Sequence, residues 1–147
     1  IEKDFDQIRK RSPRTHGEML FKRYNMKGIR GEAQKGFPSI AFISLPAYRK
    51  YKSEGIDDNV AAINTLLALM NKVNDTNVLI RTNHNLLSYE KMEAGRILAL
   101  GGAGTAEGLV ELRQLNREFI RLNISPGGCA DLLAVTILLW NLEKAFS

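Results

Sequence analysis

Apolar positions recur along this chain at intervals of three and four, and nowhere do they alternate with polar ones long enough to make a strand. The pattern therefore predicts helices throughout. Residues 1–12 are charged and weakly amphipathic, the tail of a helix or a linker. Between Pro13 and Asn25, Met19, Leu20, Phe21 and Tyr24 give a short amphipathic helix, which Lys27-Gly28 ends. Gly28, Gly31, Gly36 and Pro38 then mark a turn-rich stretch holding Arg30, Glu32 and Lys35, the first candidate functional loop. Pro38 to Ser53 is helical again, with Pro46 kinking or dividing it. Asp57-Asp58-Asn59 starts a helix to about Val73 that is apolar on almost every face and so predicted to be central. The segment from Asp75 to Arg81, a polar turn at Thr82–Asn85, and helices over 86–100 and 105–122 follow, the last two separated by Gly101-Gly102-Ala103-Gly104. Ser125 as cap and Pro126 as first helical residue open the final helix. The class is all-α, an antiparallel helical bundle formed by residues 13–147.

Parity of the helices predicts which motifs meet. If helices joined by short loops run antiparallel, the loop over 28–37, the segment from Asp75 to Arg81 and the stretch from Asn123 to Gly128 fall at one end. Asp57, Asp58 and Gly101-Gly102 fall at the other, roughly 25 Å away at about 1.5 Å per residue. Asp57 and Asp58 are therefore set aside as catalytic candidates.

At the first end lies a run with chemical content. Gly127 and Gly128 occupy the first turn of the last helix, where unpartnered backbone N–H groups can receive an anion. Asp131 follows one turn on, ahead of a nearly unbroken apolar run to Trp140, which predicts a buried carboxylate in need of a partner. That partner is a metal ion or an arginine such as Arg30 or Arg81; the bland alternative is a core ion pair with no chemistry. Asp75 is a natural N-cap. Beside Asp131 it is also a candidate second carboxylate of a Mg²⁺ site, since Mg²⁺ on nucleotides takes one or two carboxylates plus phosphate oxygens. Arg30 and Arg81 are candidate phosphate clamps, a task guanidinium performs bidentately, or else solvated surface charges. His16 caps or packs, His84 is exposed, and Cys129 is structural despite the positive helix end beside it.

Composition narrows the class only a little. With 147 residues, 44% hydrophobic and 25% charged, the chain has the make-up of an ordinary globular domain. A net charge of +5 with 7% aromatic residues, not interleaved with the basic ones, makes nucleic-acid binding a weak reading; the basic balance suits a polyanionic nucleotide equally well. One cysteine excludes an internal disulfide framework, and no apolar run is long enough to span a bilayer, so the expected compartment is the cytoplasm.

The run from Ser125 to Ala134 resembles the C-terminal signature of the triphosphoribosyl-dephospho-CoA synthases. The resemblance extends to Thr15-His16-Gly17-Glu18, to Gly28-Ile29-Arg30-Gly31-Glu32-Ala33 with Gly36-Phe37-Pro38, to Asp75-Thr76-Asn77-Val78-Leu79 with Arg81, and to Gly101-Gly102 with Gly108. It implies an enzyme that moves the triphosphoribosyl group of ATP to 3'-dephospho-CoA, releasing adenine, to make the prosthetic-group precursor of citrate lyase or malonate decarboxylase. In that reaction the resemblance assigns Asp75 and Asp131 to a Mg²⁺-triphosphate anchor and Glu32 to a base or charge stabiliser, with Asp131 also among the catalytic groups. Arg30, Arg81, Gly127 and Gly128 go to the phosphates. Members of the family are longer, with an N-terminal portion of which no trace is found here, so the chain is expected to be the C-terminal part of a longer protein, with a homo-oligomer open. A non-catalytic helical nucleotide-binding module and a glycohydrolase are the competing readings; adenine release, and its dependence on dephospho-CoA, separates the three.

Overall fold

In the computed structural model, which describes residues 2–147 with side chains from Asp4 onward, the described residues form α-helices with no strand. They run α1 (Glu2–Lys10), α2 (His16–Tyr24), α3 (Gly28–Gln34), α4 (Leu45–Ser53), α5 (Asp58–Lys72), α6 (Thr76–Arg81), α7 (His84–Ala99), α8 (Ala106–Leu122) and α9 (Gly127–Ala145). A π-helical turn over Ile40–Ser44 leads directly into α4, where Pro46 occupies the first turn. Pro46 therefore sits where its missing N–H costs nothing, and the irregular turn lies just ahead of it.

Helix α5 is the centre, as its all-round apolar pattern predicts. It packs most extensively on α7 and also against α9, α4 and the turn at Gly102–Gly104. Its Ala61, Leu67, Leu69 and Met70 join Val78, Leu87, Ala94, Ile97, Leu115, Cys129 and Leu132 in one core. Asn64 of α5, itself buried, plugs the glycine turn: its Oδ1 accepts from the Ala103 N–H at 2.8 Å and its Nδ2 donates to the Gly101 carbonyl at 3.4 Å. A Cβ at Gly102 would overlap that Asn64 oxygen. The glycines that carry the resemblance at this end are thus explained by packing.

Helices α1 and α2 form a small second cluster through Phe5, Ile8 and Phe21, and α2 reaches the rest of the fold through α6. The Thr15-His16-Gly17-Glu18 motif starts α2. Thr15 Oγ1 accepts from the Glu18 N–H, while the buried Glu18 carboxylate accepts from the Arg14 N–H at 2.6 Å and from both terminal nitrogens of Arg11. The Arg11 fork and the Arg14 amide hold the Glu18 carboxyl down at about 2. His16 is exposed on this helix start, and Thr15 does the capping.

Two boundaries differ from expectation. The glycine-rich stretch after Gly28 is a short helix, α3, closed by the turn at Gly36 and Phe37, both at positive φ. Helix α9 starts at Gly127, with Pro126 as a cap lacking a side-chain bond, because its side-chain cap comes from Asp75 on another helix.

Candidate functional site

The site is built where α6 and α9 begin. Asp75 caps α6 by accepting from the Asn77 N–H through Oδ1 at 2.8 Å. Its Oδ2 accepts from the Cys129 N–H, third residue of α9, also at 2.8 Å. One carboxylate thus ties two helix starts together, and it is only 1% exposed. The glycines allow the approach: a Cβ on Gly128 would stand 2.9 Å from Asp75 Oδ1, and one on Gly127 would stand 2.6 Å from Asn77 Nδ2.

In front of Asp75 opens a cleft of about 770 Å³, walled by α3, the helical residues Pro38 and Ser39, the α5–α6 connection and the first turns of α9. Glu32, Asp75, Thr76, Asn77, Gly128 and Asp131 all contribute. Three segments far apart along the chain therefore meet, as helix parity predicts. Glu32 accepts from the Ser39 N–H at 3.1 Å and from Ser39 Oγ at 2.6 Å, fastening α3 to the start of the next element.

The structure corrects the expected burial of Asp131. It is exposed, and its side chain has no hydrogen-bond or ion-pair partner among the described residues. The reason is that α9 is apolar on more faces than the fold covers: Asp131 heads a stripe continuing through Val135, Leu138 and Leu142, each left exposed. The buried carboxylate at the start of α9 is Asp75 instead. Arg30 and Arg81 are also exposed and lie off the cleft wall. Arg30 borders a smaller pocket of about 180 Å³ that shares Met26–Ile29 and Thr76 with the cleft, while Arg81 ends α6. Gly127 stands beside the cleft against Asn77. The cations on the wall are lysines: Lys35, named with the candidate loop, and Lys27 and Lys72, which nothing in the sequence singles out. Lys27 is engaged, with its Nζ 3.0 Å from Gln34 Oε1 and over the Phe5 ring. Lys35 and Lys72 have no side-chain partner among the described residues.

Behind Asp75 lies a second residue the sequence reading missed. Glu90 of α7 is 1% exposed, and neither of its oxygens has a hydrogen-bond partner. Burial first, then the nearby Asp75 charge, pushes its carboxyl up to about 8, against a smaller opposing pull from Lys91. Burial and the same two carboxylates push the Cys129 thiol up as well. The positive helix end therefore does not lower this thiol; its surroundings favour the protonated form. One signal for Glu90 was present: it falls on the stripe Leu87, Glu90, Ala94, Ile97, the buried residues of α7.

Glu90 binds its proton more tightly folded than unfolded, so its contribution is full below the ordinary glutamate range and is lost as pH rises towards about 8. In metal-free buffer the unfolding free energy is expected to fall between about pH 5 and 8 with a slope approaching 1.4 kcal/mol per pH unit. Glu90→Gln should flatten that slope and unfold at higher temperature than the parent at pH 8; parallel pH profiles for the two proteins would remove Glu90 as the source.

The fold and site together define an all-α domain with a polar cleft at the meeting of two helix starts, rimmed by lysines and backed by a fixed carboxylate. The chain belongs to the family described as ATP:dephospho-CoA triphosphoribosyl transferase, whose family model matches residues 1–147. It is similar to the probable 2-(5''-triphosphoribosyl)-3'-dephosphocoenzyme-A synthase of Azotobacter vinelandii, 41% identical over 131 residues, which is 89% of this chain and 45% of that protein. A protein of the same name from Pseudomonas fluorescens is 37% identical over 132 residues, 90% of this chain and 45% of the relative. The chain thus spans somewhat less than half the length of these curated relatives. No solved structure matches it.

Proposed function

We propose that this chain supplies the nucleotide-binding part of a transferase that moves the triphosphoribosyl group of ATP to 3'-dephospho-CoA and releases adenine. The observation that carries the reading is the cleft: the three family-like segments wall one cavity, and two unpaired lysines and an unpaired carboxylate face it. Its volume lies within the roughly 300–1,000 Å³ usual for ligand pockets. In this reaction a hydroxyl oxygen of dephospho-CoA bonds to the anomeric carbon of the ATP ribose. The glycosidic bond breaks, adenine leaves with the bonding pair, and the triphosphate stays on the product. The protein must anchor a triphosphate, stabilise developing positive charge on the sugar, and take the hydroxyl proton.

Lys35 and Lys72 supply fixed positive charge for the triphosphate, with the first turn of α9 opening towards it at Gly128. Asp131 and Glu32 are the carboxylates on the wall, suited to the sugar cation and to the proton. Glu32 is held in place by Ser39, and Asp131 is free to turn. Mg²⁺ fits this donor set of hard oxygens, with Asp131 as its exposed ligand and Asp75 behind it, each Asp75 oxygen retaining a lone pair beyond its backbone bond. Bound there, it would neutralise phosphate charge. Arg30, one pocket away, is placed to meet the polyphosphate of the second substrate; Arg81 is assigned no part.

The length of the relatives and the open stripe on α9 support a larger assembly, in which the remainder of a family-length protein or a second copy covers Val135, Leu138 and Leu142. We assign the protein to the cytoplasm; among the described residues no helix is long and apolar enough to cross a membrane.

Binding tests the reading without requiring turnover. Magnesium ATP is expected to raise the melting temperature of this chain, and Lys35→Ala with Lys72→Ala to abolish most of the shift at low salt. An equal shift in parent and double variant would take the nucleotide out of this cleft.

A further inference from the structure

Behind the cleft, Glu90 and Cys129 have no part in the steps above, and Asp75 stands between them and the cleft. One oxygen of Asp75, one oxygen of Glu90 and the sulfur of Cys129 lie within 4.8 Å of one another, and all three residues are buried. Two further observations point to a ligand. Glu90 is 1% exposed, stands within this group, and bonds through neither oxygen. The cation nearest in sequence, Lys91, is turned away: its Nζ donates to the Lys72 carbonyl at 3.1 Å and to Asn74 Oδ1 at 2.7 Å. A buried carboxyl without a donor is costly, and the protein itself sends no cation to meet it.

We propose that Asp75, Glu90 and Cys129 form a site for a divalent cation of the zinc class, separate from the magnesium nucleotide of the cleft. The thiol decides the class, because Mg²⁺ prefers oxygen while Zn²⁺ accepts a mixed sulfur and carboxylate set. Ligand lengths near 2.0–2.3 Å put tetrahedral neighbours roughly 3.5 Å apart, so side-chain rotations of about an ångström close the group on an ion. The ion replaces the Cys129 proton and the Glu90 proton, both of which leave to the buffer, and offers the Glu90 carboxylate the partner it lacks. Three protein ligands leave a fourth position, on the side where Asp75 borders the cleft. Such an ion joins the starts of α6 and α9 to the middle of α7 and so fixes the back wall of the cleft. The inference stands independently of the transferase reading, since its test uses the metal alone.

Cobalt is the probe. The chain is stripped with chelator and titrated with Co²⁺, following the visible bands and the near-ultraviolet absorption of a cobalt-bound thiolate. The expected result is one equivalent bound with both features, displaced by Zn²⁺, together with a rise in melting temperature. Cys129→Ser should lose the thiolate band. Glu90→Gln, nearly isosteric and checked for helicity by circular dichroism, should bind at least tenfold more weakly, while Asp58→Asn, at the end of α5 away from Asp75, should bind as the parent does. Absence of a thiolate band in the parent at saturating Co²⁺ overturns the site, whatever the variants do. Equal affinity in Glu90→Gln, or loss of the band in Asp58→Asn, overturns it as well.

Discussion

Asp75→Ala is expected to lower the unfolding free energy by roughly 2–5 kcal/mol, the sum of a lost helix cap and a lost charge-assisted bond in a buried place. Asp75 accepts from Asn77 at the start of α6 and from Cys129 at the start of α9, and it is fully enclosed. Removing it orphans two backbone donors at once and opens a gap against Gly128. Asp75→Asn is expected to lose about half as much, because the amide oxygen can still serve one of the two donors. Urea denaturation with an unchanged slope measures both. A loss below about 1 kcal/mol for the alanine variant would mean that α9 holds its position without the tie.

Asp131→Asn is expected to do the reverse. The side chain is exposed and bonded to nothing among the described residues, so stability should stay within about 0.5 kcal/mol of the parent. Magnesium-dependent ATP binding should fall by about 10- to 100-fold, the scale at which even outer partners of metal sites act. The pair of variants separates the two carboxylates that the family resemblance treats alike: one built into the frame, the other facing the ligand. Unchanged ATP binding in Asp131→Asn would end its assignment as a ligand residue.

The helices were legible because the three-and-four period of apolar residues persists through every long segment, and α5 was placed at the centre by being apolar on nearly all faces. The convergence of Glu32, Asp75 and Gly128 was legible through helix parity, an argument that needs only element count and loop length. What failed was the inference from apolar composition to burial. In α9 the run after Asp131 is apolar on every side, yet the fold covers only the face of Cys129, Leu132 and Thr136. Asp131 therefore stands outside with Val135, Leu138 and Leu142, and no pattern in an all-apolar helix says which side that is. Gly28 to Gln34 was read as a loop on its glycines; the helix forms between the turns that Gly28 and Gly36 permit at positive φ, and Gly31 is buried within it. Of the lysines of the cleft, Lys35 was named with its loop, while Lys27, at the other end of α3, and Lys72, at the end of α5, carry no motif of their own. Glu90 was hidden in plain pattern, a charged residue on an otherwise apolar stripe whose partners are 15 and 39 residues away along the chain.

Adenine release from ATP is the most direct measurement, made with magnesium, with and without dephospho-CoA, on this chain and on a form extended to the length of its relatives. The account predicts release by the extended form only when dephospho-CoA is present, abolished by Asp131→Asn. No release from either form, or release at the same rate without dephospho-CoA, would contradict it.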